Sequence, residues 1–159
     1  MKTVFELLKS TLPGLWCGEG FAQYPTIRNT AYTEELRFVP NKDKQVILYT
    51  QKSWYKNHTE NDKKTVFWDT GFIICKDEVI QLISAQSSGR AEVYLLISNT
   101  TNTFTFNCVQ IINDNKTTVS QRIFTINDAW LDYQLNMSTQ QNTQFQNHLS
   151  ASLAKVERY

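Results

Sequence analysis

The chain is sparing with residues that do chemistry. It has two histidines, His58 and His148, and three cysteines, Cys17, Cys75 and Cys108. The cysteines are odd in number, far apart and never in a Cys-x-x-Cys spacing, which argues against a disulfide framework, a zinc ribbon and covalent haem attachment. His58 falls among Lys56, Asn57 and Glu60 and reads as a solvated loop residue. His148 stands in a strand-like run, Gln146-Asn147-His148-Leu149-Ser150-Ala151-Ser152-Leu153. Leu149, Ala151 and Leu153 can pack on one face, while the small Ser150 and Ser152 leave room beside the imidazole on the other. Two readings stand: a hydrogen-bonded strand histidine, or an imidazole on an anchored strand beside open space, which suits an axial haem ligand. If Leu149, Ala151 and Leu153 face a barrel interior, strict alternation sends His148 outside. The ligand reading therefore needs a bulge near His148, or an interior lined by the serine face.

Other site chemistries find little support. Glu34-Glu35 and Asp77-Glu78 are adjacent pairs, which a strand sends to opposite faces, so neither makes a paired-carboxylate site. There is no Gly-x-Ser-x-Gly elbow, no glycine-rich phosphate loop leading into a helix, and no ligand set for a four-coordinate zinc. The net charge is +1, and Lys42, Lys44, Lys63 and Lys64 look like solvated loop charges, so no nucleic-acid partner is expected. No run is apolar for the roughly 18 residues that a membrane span requires. Residues 1–12 include Glu6 and Lys9 and lack the apolar core of a signal peptide. The Asn-x-Ser/Thr triplets at Asn57, Asn99, Asn115 and Asn136 then read as chance products of an Asn/Thr-rich chain, and the expected address is the reducing cytoplasm.

The elements that must hold such a site are mostly strands. Nine Phe, seven Tyr and four Trp, with recurrent Thr, Val and Ile, lean the composition towards β structure. Residues 3–8 have helical spacing, ended by Pro13-Gly14, and form one short helix able to plug a barrel end. Gly14, Gly18 and Gly20, three of the five glycines, then alternate with Trp16 and Phe21 as bulky anchors, and Tyr24-Pro25 closes the stretch. Glycine at alternate strand positions strips one face, so that either another backbone or a ligand in a cavity can come close. Further strands are expected at residues 31–39, 45–55, 66–74, 79–85, 91–98, 103–111, 117–126, 131–138 and 145–156. Phe104, Phe106 and Cys108 share a face, and Val109 and Ile111 reverse the phase, which predicts a bulge near Cys108. Leu131, Tyr133, Leu135 and Met137 give the clearest alternation. Turn signals about every ten residues favour one all-β domain over residues 1–159, an antiparallel up-and-down barrel of roughly ten strands.

In order and spacing the chain resembles the nitrobindin family over residues 12–156. The resemblance rests on Gly14-x-Trp16-x-Gly18-x-Gly20 with Tyr24-Pro25-Thr26-Ile27, on Thr70-Gly71-Phe72, Ala85-Gln86-Ser87-x-Gly89 and Glu92-Val93, on Arg122 and Phe124, on Met137-Ser138-Thr139, and on His148-Leu149-x-Ala151-x-Leu153. It implies a lipocalin-like or fatty-acid-binding-like barrel holding ferric, non-covalent haem b. His148 would be the iron ligand and catalytic centre, with Gln86 and Met137 lining the cavity and Thr26 and Arg122 at its wall or mouth. The implied activity is binding of nitric oxide and isomerisation of peroxynitrite to nitrate by a monomer or homodimer. Relatives carry a Met-His pair shortly before the Thr-Gly element, where this chain has Val66 and Phe67. A distal imidazole is then missing unless His58 reaches in, and Phe67 either makes the distal side apolar or fills it. Ala22 also replaces a family glycine, and Asn41-Lys42-Asp43-Lys44 replaces a His-Asn-Gly-like turn. The competing function is a haem-free carrier of a fatty acid or other small apolar ligand.

Overall fold

A computed structural model describes residues 2–23, 29–56 and 60–157. Its one helix, α1 (Val4–Thr11), starts at a capping box: Thr3 Oγ1 accepts from the Glu6 N–H at 3.2 Å, and the Glu6 carboxylate accepts from the Thr3 N–H at 2.7 Å. This satisfies two of the amide donors that a helix start leaves open. Phe5, Leu8 and Leu12 are buried, and the Leu12 carbonyl accepts from Trp16 Nε1 at 2.8 Å. The helix therefore plugs one end of a barrel.

Ten strands build that barrel: β1 (Gly14–Ala22), β2 (Thr30–Pro40), β3 (Val46–Tyr55), β4 (Thr65–Lys76), β5 (Val79–Gln86), β6 (Ala91–Asn99), β7 (Thr103–Ile112), β8 (Thr117–Asn127), β9 (Trp130–Thr139) and β10 (Gln146–Val156). Each pairs antiparallel with the next, and β1 pairs with β10 to close the barrel. Inward residues alternate with outward ones, as in Tyr32, Glu34, Leu36 and Phe38 of β2, all buried. The half of the barrel nearer α1 is filled by rings: Phe124 meets Phe38 and Phe106 edge-on, with centroids 5.9 and 6.0 Å apart.

The alternating glycines of β1 do the first of their two expected jobs. A Cβ on Gly18 would lie 2.2 Å from the Ser152 carbonyl oxygen, and one on Gly20 would lie 2.3 Å from the Tyr32 ring. The neighbouring backbone and Tyr32 take up the stripped face, and the space open to a ligand begins one inward position further on, at Ala22. Trp16 is a buried anchor, but Phe21 points outward and is exposed. The phase reversal near Cys108 is a bulge: Tyr94 pairs with Cys108 and Val93 with Gln110, leaving Val109 unopposed. Three further register shifts lie at the end away from α1. They fall at Val66 in β4, at Thr118 in β8 and at His148 in β10.

Candidate haem site

At that end the barrel encloses a cavity of about 390 Å³, lined among others by Ala22, Tyr32, Val66, Phe67, Leu135, Met137 and Leu149. Its size falls within the range of small-molecule and cofactor sites.

His148 is buried next to Leu149, which lines this cavity, at the point where β10 bulges. Asn147 pairs with Asn136 and Leu149 with Leu135, so His148 is the extra residue opposite β9. A bulge of this kind interrupts the two-residue period, so an inward Leu149 no longer forces its neighbour out. Ala151 and Leu153 are buried and Ser152 is exposed, so the serine face does not line the interior; of the two features that an inward His148 needs, the bulge is the one present. Asn147 braces the distortion: its Nδ2 donates to the Leu149 carbonyl at 3.0 Å and to Asn136 Oδ1 at 3.1 Å, and its Oδ1 accepts from Ser150 Oγ at 2.8 Å. The Gln23 N–H donates to the His148 carbonyl at 2.7 Å, tying the bulge to the end of β1. The imidazole is 2 % exposed, and burial pushes its pKa down, so it is held neutral with a lone pair to offer. His148 is not itself among the lining residues; its neighbour Leu149 is.

The other expected site residues divide. Met137, buried on the inward face of β9, lines the cavity, as do Val66 and Phe67 of β4. Phe67 walls the cavity without filling it. Gln86 lines it too, its Nε2 donating to Glu92 Oε2 at 3.1 Å. Arg122 does not: its guanidinium is fully buried and donates to Asp69 Oδ2 at 2.8 Å and Glu92 Oε2 at 3.0 Å. Two buried carboxylates hold it in the barrel interior, one residue removed from the cavity through Glu92. Thr26 lies outside the described residues, as does His58.

The charged side of the cavity was not foreseen. Arg90 pairs with Glu92 and, at 2.8 Å, with Asp114, linking the β5–β6 turn to the β7–β8 turn beside Lys116 and Thr117. Burial raises the Glu92 pKa, but the charges of Arg122 and Arg90 outweigh it and hold the carboxyl below its usual range. Glu34 was also missed as a cavity residue. It shares the inward phase of Tyr32 and Leu36 and lies in the cavity wall with Ser53.

Residues 8–155 match the family profile of the THAP4-like, heme-binding beta-barrel domain. The chain belongs to this family. Among relatives, it is 34% identical over 149 residues to an Arabidopsis thaliana protein named peroxynitrite isomerase Rv2717c, covering 92% of this chain and 86% of that one. It is 34% identical over 85 residues to peroxynitrite isomerase 1 of Mycobacterium tuberculosis H37Rv, a match that spans 53% of this chain and 49% of that relative. Its fold superposes on the crystal structure of Rv2717c from M. tuberculosis with a TM-score of 0.79, at 26% identity and over 99% of this chain and 100% of that one.

The residues fit the family's haem. Among the described residues no cluster of three or more His, Cys, Asp and Glu is placed to hold a bare metal ion. One neutral imidazole is what a haem requires of the protein, since the macrocycle supplies the equatorial nitrogens. Val66, Phe67, Leu135, Met137 and Leu149 suit its apolar faces, and Lys116 at the rim suits a carboxylate.

Proposed function

We propose that this protein holds ferric haem b through His148, binds nitric oxide there, and isomerises peroxynitrite to nitrate. The observation that supports the reading is the bulge at His148, where a buried imidazole stands next to Leu149 of the cavity lining in a chain of a haem-binding family. The names of the relatives supply the substrate.

Bound haem supplies a Lewis-acidic iron at which the O–O bond of peroxynitrite can rearrange. The protein's part is positioning. His148 would hold the iron, and Asn147 braces the bulge that carries His148. Val66 and Phe67 give the cavity an apolar wall with no ionisable group of their own, so no imidazole from β4 competes for the substrate. Leu135, Met137 and Leu149 exclude water and limit escape of reactive species. With three free cysteines, the reading places the protein in the reducing cytoplasm.

The test is an absorbance titration of purified protein with ferric haem, beside His148→Ala. Wild type is expected to show saturable one-to-one uptake with a Soret band, and the variant to lose it while keeping its β-sheet circular dichroism. Peroxynitrite decay, followed by stopped flow, should accelerate only with the loaded wild type. Equal uptake by both proteins would remove His148 as the ligand.

A further inference from the structure

Glu34 is a carboxyl in an unusual place. It is 2 % exposed, sits on the inward face of β2, and belongs to the wall of the cavity. Gln51 Nε2 donates to its Oε1 at 2.9 Å, and among the described residues no other hydrogen bond reaches the group. Its strand partners leave it otherwise unattended: Gly18 of β1 has no side chain, and Ser53 of β3 is small.

We propose that Glu34 is the cavity's hydrogen-bond donor: its carboxyl keeps a proton, is oriented through Oε1 by Gln51, and offers its O–H to an oxygen or nitrogen atom of a small anion in the cavity. The proposal deepens the functional reading given above and rests on it for the identity of the cavity, since peroxynitrite is such an anion.

The surroundings explain why the proton stays. A buried carboxylate needs a cation or several donors, and Glu34 has one amide. Burial pushes its pKa up to about 8, against the Gln51 hydrogen bond and the more distant Arg122. The groups facing it are Gln51 and Ser53 from β3, Tyr133 from β9 and Arg122 from β8. Around the same cavity stand Glu92, Arg90, Asp114 and Lys116, with His148 in the adjoining wall of β10. Arg122 is already engaged by Asp69 and Glu92, and Arg90 by Glu92 and Asp114. Neither cation is spare for Glu34. A neutral Glu34 attracts an anion through a hydrogen bond and an ionised one repels it, so anions bind more weakly once Glu34 loses its proton.

Two measurements test this. In ligand-free protein, the carbon-13 carboxyl resonance of Glu34, assigned by its loss in Glu34→Gln, is expected to report a protonated group at pH 6.5 that titrates near pH 8. A carboxyl already ionised at pH 6.5 overturns the proposal and leaves the haem reading standing. In haem-loaded protein, azide affinity is measured for wild type and Glu34→Gln from about pH 6 to 9.5. The ratio of the two affinities cancels titrations common to both, including that of water on the iron. It is expected to be constant at low pH and to fall about tenfold across pH 8, as a buried like charge requires. A ratio independent of pH overturns the proposal. If wild type takes up no haem, the functional reading fails, and the ligand-free titration still decides whether Glu34 holds its proton.

Discussion

At the scale of single residues, the decisive features are those that break the strand period or put charge where the period expects grease. His148 stood out in the sequence because its surroundings were odd: an imidazole between a packing face and a serine face, which strict alternation alone would turn outward. The bulge breaks that alternation, and the Asn147 side chain braces it with three hydrogen bonds that cannot be read from composition. Glu34 was half legible. Alternation correctly separates it from Glu35, which is exposed while Glu34 is buried, but hydrophobic patterning counts any glutamate as an outward residue, so its place in the cavity wall went unseen. Its burial has a thermodynamic signature. The unfolded carboxyl ionises near 4.5 and the folded one near 8; between these values the folded state carries the extra proton, so stability falls as pH rises. From pH 5 to 8 wild type should lose about 1.4 kcal/mol per pH unit relative to Glu34→Gln, and the difference should level off above pH 8. Urea denaturation of both proteins across that range checks the slope; parallel curves would mean that Glu34 ionises freely in the fold.

At the scale of elements, the number and order of strands followed from turn signals and alternation, and the bulge near Cys108 followed from a reversal of phase. Those are local signals. The job of the β1 glycines was not local, because it depends on which strand lies alongside. Gly18→Ala would drive a Cβ into the Ser152 carbonyl of β10, and the pairing that closes the barrel has to shift. A loss of about 2 kcal/mol, within the cost of overpacking a tight site, is expected in thermal or chemical denaturation. A neutral outcome would mean that β1 and β10 are free to move apart. Helix α1 matters for a different reason. Its eight residues are too few to be stable alone, so its order comes from burying Phe5 and Leu8 in the barrel end. Leu8→Ala should cost about 2–5 kcal/mol through the cavity it leaves, measured by the same denaturation.

At the scale of the whole molecule, the barrel divides into a packed half under α1 and a hollow half at the opposite end, and Arg122 joins them. Its guanidinium, reaching from β8, gathers Asp69 of β4, Ser84 of β5 and Glu92 of β6 across the interior. No sequence pattern announces such a centre, since the residues lie up to 53 positions apart and its charged members each resemble a surface charge. Arg122→Met keeps the bulk but leaves buried Asp69 without its cation and Glu92 with Arg90 alone, and should cost about 3–5 kcal/mol in urea denaturation. A loss under about 1 kcal/mol would show that water reaches them.

The seam between β1 and β10 has a consequence for biosynthesis. Leu15 meets Val156 and Ala22 meets Leu149, so the first strand waits through translation of nearly the whole domain for its second neighbour. The strand it waits for is the one that carries His148. Until β10 leaves the ribosome, the nascent chain is an open sheet with an exposed edge and without His148. Closure of the barrel and arrival of His148 are therefore one event, and a partly made chain lacks the strand that completes this wall.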